Sequence, residues 1–199
     1  WLSIKDITPK GEYYDAVVPD TLDLAQRAKL SVSGLTEILD PEDNYSTYCH
    51  TYYNTNPAYM TRHWVGGKAQ NWGKIVEALI LVRNMCGSRE NLDIEYKTIQ
   101  GLVDFAKLKQ KEPYPTPLSR IMLALIALNE VSPKPEIKGL LGEYAQSHVN
   151  LAKYDGGYAY YYDGPPDLKD TELGVQGYWM QAFVNGTAIR TLCQWHKMS

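Results

Sequence analysis

The sequence predicts an all-α protein of helical hairpins arranged in two concentric layers. Three observations carry that reading. Six stretches place apolar residues at the 3–4 spacing of a helix. The second and fourth are apolar on nearly every side, whereas the first, third and fifth are two-faced. The links alternate as well. Those after the first, third and fifth helices are long or proline-rich and full of tyrosine, and those after the second and fourth are short turns. If neighbouring helices run antiparallel, every odd-to-even link lies at one end, and elaborate loops on a rigid scaffold are where binding sites are built. A coiled coil would keep one narrow seam, and a four-helix bundle has no need of two helix classes.

Residues 1–19 read as an irregular segment with a turn at Pro9-Lys10-Gly11, and 20–199 as the helical domain. Helix one spans about 20–39, with Leu24, Ala25, Ala28, Val32, Leu35 and Leu39 inward. Asp20 is its expected cap, and Asp23 lies in the first turn, where the helix dipole favours acid. The loop 40–67 follows. Helix two, about 68–85, turns Trp72, Ile75, Val76, Leu79 and Ile80 inward, and its apolar centre 78–82 predicts burial on several sides. Helix three, about 91–109, has Leu92, Ile99, Leu102, Val103 and Ala106 inward and Glu95, Lys97, Asp104 and Lys107 on a solvated side. Thr116-Pro117 reads as cap and first residue of helix four, about 117–129. Helix five spans about 136–153, with His148 on its apolar stripe as a core histidine. The loop 154–176 is rich in glycine and tyrosine, and 158–162 has the pattern of a short strand. Helix six, about 177–197, places Trp179, Ala182, Phe183, Gly186, Ile189 and Cys193 on one stripe.

Composition excludes several roles. The chain has 199 residues, 44% of them hydrophobic, and a net charge of −3. Its pI near 5.8 argues against a nucleic-acid binder, which normally presents a basic face. No apolar run approaches the roughly 18 residues of a membrane span. No leader segment is visible, and a chain that starts at Trp1 says little about one. Cys49, Cys86 and Cys193 are far apart and form no zinc motif, and the four histidines form no short-spacing metal set. No cofactor or metal is therefore expected. Asn44-Tyr45-Ser46 and Asn185-Gly186-Thr187 match the glycosylation pattern, which arises often by chance. The 16 Tyr and 5 Trp against 2 Phe favour half-wet aromatic surfaces, because Tyr and Trp join a flat apolar face to a polar handle.

Val18-Pro19-Asp20-Thr21-Leu22-Asp23-Leu24-Ala25, Asp40-Pro41-Glu42, Asn56-Pro57-Ala58-Tyr59-Met60 and Lys74-Ile75-Val76-Glu77-Ala78-Leu79 with Met85-Cys86-Gly87-Ser88 give the chain a family likeness. With the helix pattern, these stretches resemble the (α/α)-toroid, or six-hairpin glycosidase, superfamily and its large bacterial members. The resemblance covers most of 18–199. It implies an α/α toroid, of which this chain holds about three of the usual six hairpins. It implies catalytic residues on loops at the N-terminal ends of the inner helices, and a bacterial cytoplasmic or periplasmic setting. It also implies that the rest of the ring comes from the same polypeptide or from a second chain.

Within that frame the expected function is carbohydrate-active. The first reading is a glycoside hydrolase-like enzyme, the second a polysaccharide lyase on the same scaffold. The third is a glycan-binding or assembly subunit without catalysis. Glycoside hydrolysis needs two carboxylates across the scissile bond. Asp163, between a tyrosine run and Gly164-Pro165-Pro166, and Asp155, before Gly156-Gly157, are the catalytic candidates. Both also fit ordinary turn aspartates. Arg62, His63, Trp64, Asn71 and Trp72 cluster at the start of helix two as a substrate-binding group, joined by Tyr59, Tyr160, Tyr162 and Trp179. Aromatic rings stack on sugar faces, and Arg, His and Asn bond hydroxyls or carboxylates. Glu77 lies in a buried stretch and calls for a partner, with Arg83 or a loop arginine as the expected one.

Overall fold

The computed structural model describes residues 23–48, 50–61, 65–108, 114–161 and 174–199. The described residues are mostly helical. Helix α1 (Leu24–Glu37) leads through strands β1 (Leu39–Asp40), β2 (Ser46–Thr47), β3 (His50–Tyr52) and β4 (Tyr59–Thr61) to α2 (Val65–Cys86). Helices α3 (Leu92–Lys107), α4 (Pro115–Val131) and α5 (Pro135–Leu151) follow. Strands β5 (Lys153–Asp155) and β6 (Tyr158–Tyr160) precede α6 (Gly174–Met198). The strands form three antiparallel pairs, β1–β2, β3–β4 and β5–β6. All three pairs fall in links from an odd helix to an even one.

The centre of the molecule is α4. From Pro115 to Leu128 every residue is buried except Arg120. Ile121, Met122, Ala124, Leu125 and Leu128 share a core with Trp72, Val76 and Ile80 of α2, Leu102 and Ala106 of α3, and Leu140 and Leu141 of α5. A helix this apolar is stable only when other elements remove its whole circumference from water, at about 25 cal/mol per Å². The all-round burial of the fourth helix is as the sequence implies. For the second it is not: Leu79 and Ile80 are buried, but Leu81 is 44% exposed. One flank of α2 is open among the described residues.

Contacts along the helices set their directions. On α2 and α3, Arg83 meets Glu95 while Trp72 meets Phe105, so the two run antiparallel. Ser119 of α4 meets His148 near the end of α5, the same relation. α2 and α6 advance together: Gly73 abuts the Arg120 backbone, Arg120 abuts Phe183, and Glu77 pairs with Arg190. At Gly73 an added Cβ would lie 2.5 Å from the Arg120 carbonyl oxygen, so only glycine lets α2 and α4 approach so closely. The even helices thus start at the end that carries the strand pairs.

Several expectations change. Asp23, not a first-turn residue, is itself the cap of α1, its carboxylate accepting from the Gln26 N–H at 3.0 Å. Asp20 lies outside the described residues. Leu24 is exposed rather than inward. Glu95 is not on the solvated side of α3. It is buried against Arg83, whose guanidinium also donates to the carbonyls of Ser88 (2.7 Å) and Glu90 (2.8 Å). The arginine is held in this way, across the α2–α3 turn. Burial pushes the Glu95 carboxyl up from its ordinary range, and the adjacent Arg83 opposes that rise. Glu77 therefore pairs with neither Arg83 nor a loop arginine but with Arg190 on α6.

On α6 the buried stripe is Val184, Thr187, Ala188 and Thr191, one step round from the predicted one, and Ile189 and Cys193 are exposed. The threonines can face inward because their hydroxyls donate to the carbonyls one turn back, Thr187 to Phe183 and Thr191 to Thr187, both at 2.8 Å. Asn185 uses its amide to clamp the Tyr161 backbone (2.9 and 3.0 Å), so the second glycosylation pattern is spent inside a helix. His148 is the expected core histidine, bonded to Ser119 at 3.2 Å and edge-on to Tyr161.

Replacing Arg83 by methionine strands the buried Glu95 carboxyl and two turn carbonyls. Urea unfolding of Arg83→Met is expected to lose about 3–5 kcal/mol. Burial holds the His148 pKa down from 6.5 to about 4. The unfolded chain therefore takes up this proton first, and stability that is intact above pH 6.5 falls as pH drops toward 4. The loss reaches at most about 3 kcal/mol. His148→Gln is expected to be less stable than wild type at pH 7, with the gap narrowing on acidification in urea titrations at a series of pH values.

Candidate functional site

A cleft of about 650 Å³ opens between α3 and the segment that joins α1 to β2, at the starting end of α2. Its walls alternate aromatic and polar. Tyr45, Trp72, Tyr96 and Phe105 supply ring surface, and Asn44, Lys68, Lys97, Gln100 and Asp104 supply donors and acceptors.

A polar chain fixes this geometry. The Trp72 indole N–H donates to Thr98 Oγ1 at 2.7 Å, and the Thr98 hydroxyl donates to the Tyr45 carbonyl at 2.7 Å. Helices α2 and α3 and the first loop are locked together in this way. Asn44 and Tyr45 turn the loop with left-handed backbones at φ 53 and 55. Asp40 accepts from the Glu42 N–H at 3.0 Å and shapes the short 3-10 turn Pro41–Asp43. Asp43 takes Lys68 at 2.7 Å and the Ser46 hydroxyl at 2.6 Å. Lys68 lies 5.3 Å above the Trp72 ring, and Lys97 lies 5.1 Å above Tyr45. On the α3 side, Gln100 donates from its amide to Asp104 at 2.9 Å, while its buried carbonyl oxygen has no hydrogen-bond partner.

Two of the strand pairs carry aromatic surface beside this end. Tyr52 and Tyr59, opposite each other on β3 and β4, stack at 4.9 Å. Tyr158 and Tyr160 of β6 lie 6.0 Å apart and tilted. Their hairpin closes through Gly156 and Gly157 at φ 54 and 116, where a Cβ would be strained. Asp155 starts that turn, exposed, and accepts from the Tyr158 hydroxyl at 3.2 Å.

The sequence-selected residues therefore disperse. Trp72 reaches the cleft, but at 1% exposure it is a core ring on the cleft floor rather than a free stacking face. Asn71 is half-buried on the adjacent turn of α2, Tyr59 stands exposed in the β3–β4 pair, and Tyr160 is half-buried on β6. Trp179 lies within α6, with its side chain outside the described part. Arg62, His63, Trp64, Tyr162 and Asp163 lie outside the described residues. Of the cleft's own residues, Tyr96 and Gln100 were not singled out, and Asp104 was assigned to a solvated side. They recur every fourth residue on the α3 face read as solvated, and periodicity cannot tell solvent from a groove. No group of three or more metal-ligating side chains occurs among the described residues, and no described helix is long and apolar enough to cross a membrane.

The cleft depends on Gly101. A Cβ there would fall 2.6 Å from the Asn44 carbonyl and 2.7 Å from the Trp72 ring. Gly101→Ala gains about 1 kcal/mol of helix propensity, yet overpacking costs about 1–3 kcal/mol. Net destabilisation with a lowered melting temperature is the expected result, read by circular dichroism. No protein-family model, no curated protein and no solved structure matches this chain.

Proposed function

We propose that this protein is carbohydrate-active, an (α/α) toroid that acts as a glycoside hydrolase. One observation carries the reading: the cleft beside the start of α2 interleaves aromatic rings with hydroxyl-bonding side chains. Sugars present that same alternation, with apolar ring faces edged by hydroxyls, and Tyr and Trp match both parts. The exposed tyrosines of the β3–β4 and β5–β6 pairs extend aromatic surface along the end of the molecule where toroid enzymes bind substrate. The exposed Leu81 on α2 and Ile189 on α6 suit a face that further helices of a ring would cover.

Hydrolysis needs an acid and a second carboxylate. Asp104 is the carboxylate in the cleft, and Asp163 is the acid that the sequence offers. Asp155, engaged by Tyr158 in a hairpin turn, positions tyrosine surface in this reading.

The test is mass spectrometry of products after the full-length polypeptide is incubated with neutral and uronic-acid glycans. Products carrying added water are expected, with turnover reduced at least about hundredfold in Asp163→Asn or Asp104→Asn. Unsaturated products would replace hydrolysis with elimination. Glycan binding without cleavage would leave a binding subunit.

A further inference from the structure

The charges around the cleft are not equivalent. Among the described residues its charged lining is Lys68, Lys97 and Asp104. Lys68 is committed: its ammonium donates to both oxygens of Asp43, at 2.8 and 2.7 Å, and the pair is mostly covered. Lys97 is held more loosely. Its ammonium lies 5.1 Å over the Tyr45 ring, donates to the Tyr45 hydroxyl at 3.3 Å and reaches Asp93 only at 3.5 Å. The Lys97 side chain is 50% exposed and that of Asp93 65%, so water and salt screen this pair. An ammonium carries three donors, and at least one is left for solvent or a ligand.

The wall under this ammonium is strained. Asn44 and Tyr45 both take the left-handed backbone region, which a bulky side chain such as tyrosine rarely adopts. Helix α3 holds them there: the Thr98 hydroxyl donates to the Tyr45 carbonyl, and the Asn44 carbonyl packs where Gly101 leaves room. Strained backbone persists only where its surroundings over-determine it, and it gathers at ligand sites. Here it sets the Tyr45 ring beneath Lys97. Along α3, Lys97, Gln100, Gly101, Asp104 and Leu108 recur at helical spacing and line the cleft as one stripe. Lys97 and Asp104 stand two turns apart, roughly 10 Å along the axis. That exceeds the Debye length of about 8 Å at physiological salt, so an anion at Lys97 is largely screened from the Asp104 carboxylate.

We propose that Lys97 is a specificity-determining residue of the cleft: it binds an oxyanion, carboxylate or sulfate ester, carried by a sugar whose ring lies on the aromatic wall at Tyr45. Neutral, hydroxyl-bearing units of the same ligand then lie toward Gln100 and Asp104, which fixes the direction in which a chain enters. The ammonium meets the anion with a charge-assisted hydrogen bond, and the ring beneath it keeps the cation in place. The assignment of the anion to a sugar rests on the carbohydrate reading of the cleft.

The test is isothermal titration calorimetry of the full-length polypeptide with neutral oligosaccharides. Each is set beside counterparts whose primary hydroxyl is oxidised to a carboxylate or converted to a sulfate ester, at matched ionic strength. An acidic form is expected to bind at least about tenfold tighter than its neutral parent, as a charge-assisted hydrogen bond provides. Lys97→Met keeps an apolar stem over the Tyr45 ring and should bring that ratio to about one, whereas Lys97→Arg should preserve it. Added salt should narrow the ratio in the wild type and leave Lys97→Met unchanged. Preference for the carboxylate form alone assigns a uronate-type ligand, preference for the sulfate form alone a sulfated sugar, and preference for both a general oxyanion site; each supports the proposal. Equal binding of acidic and neutral forms by the wild type, or a preference that survives in Lys97→Met, overturns the role of Lys97 and leaves the carbohydrate reading standing. Binding of no glycan of either kind overturns that reading itself, and the selectivity falls with it.

Discussion

Removing α4 from water on every side organises this molecule. A helix that reads Ile-Met-Leu-Ala-Leu-Ile-Ala-Leu from Ile121 has no solvated face, so α2, α5 and α6 must all pack on it. That requirement sets the close backbone approach at Gly73 and brings α2 and α6 side by side on one helix, where Glu77 pairs with Arg190.

The polar groups inside the fold follow a second rule, that a buried polar atom must be matched. Arg83 reaches across the α2–α3 turn to Glu95 and two carbonyls, and Trp72, Thr98 and the Tyr45 carbonyl form a chain through three elements. The threonines of α6 satisfy themselves on their own helix and so pack like valines. The match is not complete: among the described residues Arg83 Nη2, Glu95 Oε1, Gln100 Oε1, Arg120 Nε and His148 Nδ1 are buried without a hydrogen-bond partner.

Loop architecture and helix direction position the cleft. The strand pairs all fall in odd-to-even links, and the even helices start at the end that carries them. The first link is the longest of those described, and it doubles back along α3 to wall the cleft with Asn44 and Tyr45. The third becomes a tyrosine hairpin closed by two glycines.

The helix content, the alternation of links and the all-apolar character of α4 were legible in the sequence, because 3.6-residue periodicity and its absence report burial directly. The tyrosine-rich loops and the core role of His148 were legible for the same reason. Partners were not. Which arginine meets Glu77, why Glu95 is buried and why α6 turns its threonines inward depend on what another helix presents at that height, and a single sequence records no such registration. The cleft was hidden because Tyr96, Gln100 and Asp104 lie on a face that looks solvated until a loop folds over it. Only the packing of α2 and α6 against α4 decided that Glu77 would meet Arg190, because proximity across helices is a property of tertiary structure alone.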